Sequence, residues 1–265
     1  MKSLKKFEGK HCGGRCWIMG NGPSLRQMDL SLFRDEIVFA SNAIFLLFPE
    51  IAWRPRYYSC VDTRVLPDIA NEIAKMLKEH PQIIAFFPEE LPQYDGTGCV
   101  LKTSSLLPTL PNIHFFQQKP MVRKNLPSSA FTIGSGRILC SPKTVTVGLM
   151  QLAVIMGFSE IYLIGCDTAY TIPATVVQSG GLVNGTPGER LLLTSTADDD
   201  PNHFTSNYFG VGKKWHHPKV DQIIKHYSLA KNVLDSAGVA VFNATVGGKL
   251  DVFPRIDYRE VLLSE

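Results

Sequence analysis

Residues 16–25, CWIMGNGPSL, constrain the fold more than any other stretch of the chain. Cys16, Trp17, Ile18 and Met19 form an apolar run of strand length that breaks into Gly20, Asn21, Gly22, Pro23 and Ser24 before a helix-like segment begins at Leu25. A strand ending in a loop of phosphate size and followed by a helix is the opening unit of an α/β chain. Glycine lets a backbone approach a ligand and adopt positive φ, while Pro23 suits the first turn of a helix, so free N–H groups there would face an anion. The order G-N-G-P-S is not the dinucleotide pattern G-x-G-x-x-G, and no lysine follows as in a P-loop. An ordinary tight strand-to-helix turn fits the same residues.

Later segments repeat this grammar. Residues 36–40 (EIVFA) read as a second buried strand ending at Ser41 and Asn42, and 57–61 (YYSCV) as a third ending at Asp62. Ile69, Ile73, Met76 and Leu77 recur at helical spacing and predict a helix over 65–80. Strands are expected at 82–87, 113–117, 161–164 and 239–242, and helices at 144–156 and 220–237. Such alternation predicts an α/β fold with a doubly wound, mostly parallel sheet and helices on both faces, where ligands gather at the carboxyl ends of strands. Asn21, Asn42, Asp62 and Asp167 each stand at such an end. At the start of the apolar helix, Ser141, Lys143, Thr144 and Thr146 offer hydroxyls and free N–H groups to a carboxylate or phosphate. A capped core helix is equally consistent with them.

Two regions interrupt the pattern. Residues 88–127 are rich in proline and polar side chains and carry a positive patch of Lys119, Arg123 and Lys124. An irregular excursion at the sheet edge is favoured there over a substrate-binding rim. Residues 171–203 lose periodicity, with Gly180, Gly181, Gly185, Gly188 and the acidic run Asp198–Asp200. A flexible lid is therefore expected over about 171–218, inside a single domain spanning 1–265. His203, Tyr208, Trp215, His216 and His217 cluster at its end.

Composition excludes several classes. A net charge of +3 with scattered basic residues gives no footprint for nucleic acid. No apolar run approaches the ~20 residues that span a bilayer, and no signal-peptide core follows the first lysines, so the chain reads as cytoplasmic. Lys2, Lys5, Lys6 and Lys10 make the amino terminus basic enough for peripheral association with the inner face of a membrane. The six cysteines are widely spaced and read as reduced, mostly buried thiols, with no second pair to complete a zinc site beside Cys12 and Cys16. The oligomeric state is left open.

Four motifs together resemble two related groups: the bacterial sialyltransferases of glycosyltransferase family 42, and the 6-hydroxymethylpterin diphosphokinase MptE-like proteins that include the Maf proteins of flagellin glycosylation. The motifs are GNGPSL at 20–25, SN at 41–42, SPKTVTVGLMQLAVIMGFSEIYLIGCDTAY at 141–170 and HHPKVD at 216–221, with the tail NATVGGKLDVFPRIDY at 243–258 closer to the MptE-like group. The resemblance implies a Rossmann-like, metal-independent glycosyltransferase of surface polysaccharide biosynthesis, using a CMP-sugar donor as substrate, a glycan as acceptor and no cofactor. It places Gly20, Asn21, Gly22, Ser24 and Asn42 on the nucleotide and its phosphate, and Thr144 and Thr146 on the donor carboxylate. It makes His217, or its neighbour His216, the general base. A histidine base and tyrosine hydroxyls that stabilise the leaving phosphate are coherent chemistry, and Tyr170 and Tyr208 are the candidates. The family's hydroxyl run appears here as T-V-T-V, which puts carboxylate recognition in question. The alternatives are a diphosphokinase holding magnesium on Asp62 and Asp167, and a non-catalytic nucleotide-binding module in glycan assembly.

Overall fold

The computed structural model describes residues 4–92, 99–119, 131, 138–179, 182–183, 186–187 and 191–264. Eight strands form the main sheet: β1 (Arg15–Met19), β2 (Val38–Ser41), β3 (Tyr57–Ser59), β4 (Ile84–Pro88), β5 (Ile113–Lys119), β6 (Ile138–Cys140), β7 (Glu160–Ile164) and β8 (Ala240–Asn243). Their spatial order is β8-β7-β1-β2-β3-β4-β5-β6, and every neighbouring pair is parallel. The chain thus lays strands outward from β1 on one side, then returns to place β7 and β8 on the other. This is a doubly wound, Rossmann-like α/β fold whose switch point lies between β1 and β7.

Both faces of the sheet are covered, which is why its strands read as continuous apolar runs. Successive side chains alternate between the faces. Trp17 and Met19 join Val38, Tyr58 and Phe87 on one side, packed against Ile73, Met76 and Leu77 of α2 (Ala70–Glu79) and Tyr258 of α5 (Tyr258–Leu262). Cys16 and Ile18 join Phe39, Tyr57 and Leu163 on the other, under α3 (Val145–Ile155) and α4 (Val220–Ser236). From the buried α3, Gln151 accepts from the Cys140 amide at 2.9 Å and donates to its carbonyl at 3.1 Å, tying the helix to edge strand β6. Cys16, Cys60, Cys140 and Cys166 are buried, and Cys12 and Cys99 are exposed. No described helix is long and apolar enough to cross a membrane.

Three expectations change. The helix expected over 65–80 is two, α1 (Val65–Asp68) and α2, separated at Ile69 with φ −120°. The 88–127 region is not only an excursion: strands Glu90–Pro92 and Val100–Lys102 pair antiparallel there, and Glu89, Glu90 and Pro92 face the main cavity. Arg123 and Lys124 lie outside the described residues, as do Gly180, Gly181, Gly185 and Gly188. Within 171–218, strands Val177–Ser179, Leu192–Thr194 and Lys214–His216 form an antiparallel sheet over a small core of Leu191, Leu193 and Trp215.

Candidate functional site

The loops leaving β1 and β7 are interlocked at the switch point. Gly20 N–H donates to the Ile164 carbonyl at 2.8 Å and Gly22 N–H to the Gly165 carbonyl at 2.9 Å. A Cβ on Gly20 would stand 2.3 Å from the Gly165 oxygen, and one on Gly22 would stand 1.8 Å from Asp167 Oδ2. Gly22 has φ −70°, an angle open to any residue, so space rather than backbone freedom requires the glycine. The segment after it is a 3-10 helix, Pro23–Gln27, and its amino end already holds an anion. Ser24 donates from its hydroxyl to Asp167 Oδ2 at 2.7 Å and from its backbone to Oδ1 at 3.2 Å. The expected phosphate position is filled by the protein's own carboxylate. Burial raises the Asp167 pKa, and the two Ser24 bonds oppose the rise.

The tail motif supports this loop from the other side. Lys249 N–H donates to the Asp167 carbonyl at 2.7 Å, and Cys166 N–H to Thr245 Oγ1 at 3.1 Å. Asn243 in turn accepts from Thr245 N–H at 3.0 Å and donates to Leu250 at 2.7 Å.

At the next strand from β1, β2 ends at Ser41 and Asn42 follows it with a left-handed φ of 51°. Asn21 donates from Nδ2 to the carbonyl and hydroxyl of Ser41, each at 3.3 Å. The Oδ1 atoms of Asn21 and Asn42 are buried and have no partner among the described residues. Asp62, beyond β3, accepts at Oδ1 from the amides of Arg64 (2.7 Å) and Val65 (2.9 Å), while its Oδ2 is 3.9 Å from His216 Nδ1. Burial would raise the Asp62 carboxyl, but the His216 ring and those amides outweigh it and hold it below its ordinary value.

These groups open into one cavity of about 840 Å³ along the carboxyl edge of the sheet. It gathers Gly20, Asn21, Gly22, Asn42, Asp62, Thr144, Thr146, Asp167, Tyr170, His216 and His217. Ser24 and Tyr208 stand behind its wall. Ser24 is occupied with Asp167, and Tyr208 is 4% exposed with its hydroxyl accepting from Ala43 N–H at 3.4 Å. Thr144 begins α3 without a side-chain cap, and Thr146, inside the helix, is 5% exposed. Tyr170 as a whole is 40% exposed, but desolvation around its hydroxyl, with Cys166, Asp167 and Asp200 nearby, raises its pKa, so the hydroxyl stays protonated.

Sequence reasoning made His217 and His216 the base candidates and gave His203, from the same cluster, no role. His203 lines the same cavity, with Nδ1 2.7 Å from Asp200 Oδ2 and its ring flat on Tyr208 at 3.9 Å and 1°. Asp200 also accepts from the amides of Asn202 (2.8 Å) and Phe209 (3.3 Å). Within the acidic run, Asp198 accepts from Val211 N–H at 2.9 Å and Asp199 from Thr175 at 2.8 Å. The run therefore organises the loop that carries His203. The signal was the motif D-x-x-H at 200–203, hidden inside what read as a flexible lid. His217 has Nδ1 buried without a partner among the described residues, and burial, with Lys219, lowers its pKa. Among the described residues no three His, Cys, Asp or Glu side chains converge as a metal cage requires.

The chain is thus a doubly wound α/β protein with a polar, histidine-lined cavity at its switch point. No family model and no curated protein matches it. Among solved structures, a MAf glycosyltransferase from Magnetospirillum magneticum AMB-1 is similar over 96% of this chain, at 15% identity and a TM-score of 0.49. The match covers 37% of that protein, so this chain spans little more than a third of its length.

Proposed function

We propose that the chain is a glycosyltransferase that moves a nonulosonic, sialic-acid-like sugar from a CMP-activated donor to a glycan acceptor, in the cytoplasm or at the inner face of a membrane. The observation that carries this reading is that the polar strand ends Asn21, Asn42, Asp62 and Asp167 open together into one cavity at the switch point. The cavity volume falls in the range of ligand sites. The motif order from GNGPSL to HHPKVD supports the same class.

In this reading the acceptor oxygen attacks the anomeric carbon, the bond from that carbon to the phosphate oxygen breaks, and the electron pair leaves with CMP. The acceptor proton passes to a cavity histidine. Asp167 repels a phosphate from the glycine loop, so the leaving phosphate belongs at the opposite wall. There the uncapped start of α3, with Lys143 and Lys219 alongside, favours negative charge, and the protonated Tyr170 hydroxyl can donate to it. The diphosphokinase alternative would place magnesium on Asp62 and Asp167. Both already give oxygens to Arg64, Val65 and Ser24, so each would exchange protein hydrogen bonds for the metal.

Thermal unfolding with nucleotides separates the readings. CMP at a hundred times its Kd stabilises by about 2.7 kcal/mol, a rise in Tm of about 5 °C for a chain of this size. A rise with ATP and magnesium but not with CMP replaces the transferase by the kinase. No response to either leaves a non-catalytic module.

A further inference from the structure

We infer that Asp200 is the positioning residue of the transfer step: it fixes His203 in the tautomer that leaves Nε2 to take the acceptor proton. This rests on the transferase reading of the cavity, but its structural half can be measured without it.

Three histidines line the cavity, and their surroundings differ. His216 Nδ1 is 3.9 Å from Asp62 Oδ2, beyond hydrogen-bond distance. His217 has an unpartnered Nδ1 among the described residues, and Lys219 nearby opposes any positive charge on its ring. His203 alone is joined to a carboxylate at bonding distance, 2.7 Å, and that carboxylate is 4% exposed. A buried carboxylate is an acceptor, so His203 Nδ1 carries the proton and Nε2 keeps its lone pair. When Nε2 gains a proton, the imidazolium is formed beside Asp200, which stabilises it. Stacking on Tyr208 and the edge of Phe209 at 5.0 Å and 87° stop the ring from turning away.

The pair is also tied to the proposed nucleotide loop. Phe204, next to His203, donates its N–H to the Asn21 carbonyl at 3.0 Å, and its own carbonyl accepts from Arg26. Binding at Asn21 and proton removal at His203 are therefore set in one frame. The charged and titratable groups around the ring are Asp200 and Tyr208 on its own loop, Asp167 and Tyr170 after β7, and Arg26 after β1.

The test has two arms. Nitrogen-15 NMR of the imidazoles in the wild-type protein should show His203 as the Nδ1–H tautomer, and an Nε2–H tautomer overturns the inference whatever the protein catalyses. The second arm follows hydrolysis of CMP-N-acetylneuraminic acid, with water as acceptor, across pH. D200N should lower kcat by about a hundredfold or more, leave KM near the wild-type value and move the acidic limb of the pH profile to lower pH. D200E should restore part of kcat. A D200N enzyme within about threefold of wild type, with an unmoved profile, removes Asp200 from the role. If the wild type hydrolyses nothing, the transferase reading fails, and the tautomer alone decides the pairing.

Discussion

Replacing Gly22 by alanine tests the interlocked switch point most directly. The added Cβ would stand 1.8 Å from Asp167 Oδ2, 2.6 Å from its Cγ and 2.7 Å from the Gly165 oxygen, where ordinary carbon contacts lie at about 3.5–4.0 Å. Backbone conformation does not oppose the change at φ −70°. The carboxylate must swing away, which breaks both bonds from Ser24. At about 1.5 kcal/mol for each charge-assisted bond, plus about 1 kcal/mol of overpacking against Gly165, the cost is about 4 kcal/mol. That lowers Tm by about 7 °C for a chain of this length, which calorimetry resolves. The contact with Asp167 also predicts a coupling: G22A in a D167A background should cost about 3 kcal/mol less than in the wild type, because only the Gly165 clash remains. A loss under about 1 kcal/mol in G22A, or strict additivity in the double variant, would refute the view that this glycine makes room for the carboxylate.

Two further outcomes follow from single contacts. His226 is 2% exposed, accepts at Nδ1 from Lys143 N–H at 2.9 Å, and has its pKa lowered to about 4 by burial and then Lys143. Its folded pKa lies below the unfolded one, so the stability it contributes is complete above about pH 6.5 and fades as pH falls towards 4. H226N, which keeps an acceptor for Lys143, should remove about 2 kcal/mol from the difference in urea stability between pH 7 and 4.5, and an unchanged difference contradicts this. D62A uncaps α1 by freeing the Arg64 and Val65 amides and should cost about 1 kcal/mol, with hydrogen exchange rising first in residues 64–68; protection equal to wild type would rule out the cap.

The sheet was legible because parallel strands covered on both faces leave runs such as CWIM and EIYLI with no polar interruption. The polar ends Asn21, Asn42, Asp62 and Asp167 could be placed on one edge for the same reason. Strands of three residues, such as Ile138–Cys140 and Lys214–His216, carry no periodic signal of their own and need their neighbours to exist. The role of the glycine loop was hidden for a different reason. Its partner Asp167 is 143 residues from Ser24, so a local reading finds a vacant anion site where the folded chain has a filled one. The pairing of His203 was hidden because Asp200 was one of three consecutive acids, and only the fold assigns each its separate partner.

The pairing of β1 with β7 also sets an order of events during synthesis. Five residue pairs, from Arg15↔Glu160 to Met19↔Ile164, join segments 145 positions apart. At about 5–20 residues per second, a ribosome finishes β1 roughly ten seconds or more before its second neighbour emerges. Meanwhile one edge of a strand whose Cys16, Trp17, Ile18 and Met19 end at most 1% exposed has nothing to pair with. Nascent chains stalled before about residue 165 should therefore be the ones that chaperones hold and that aggregate when released.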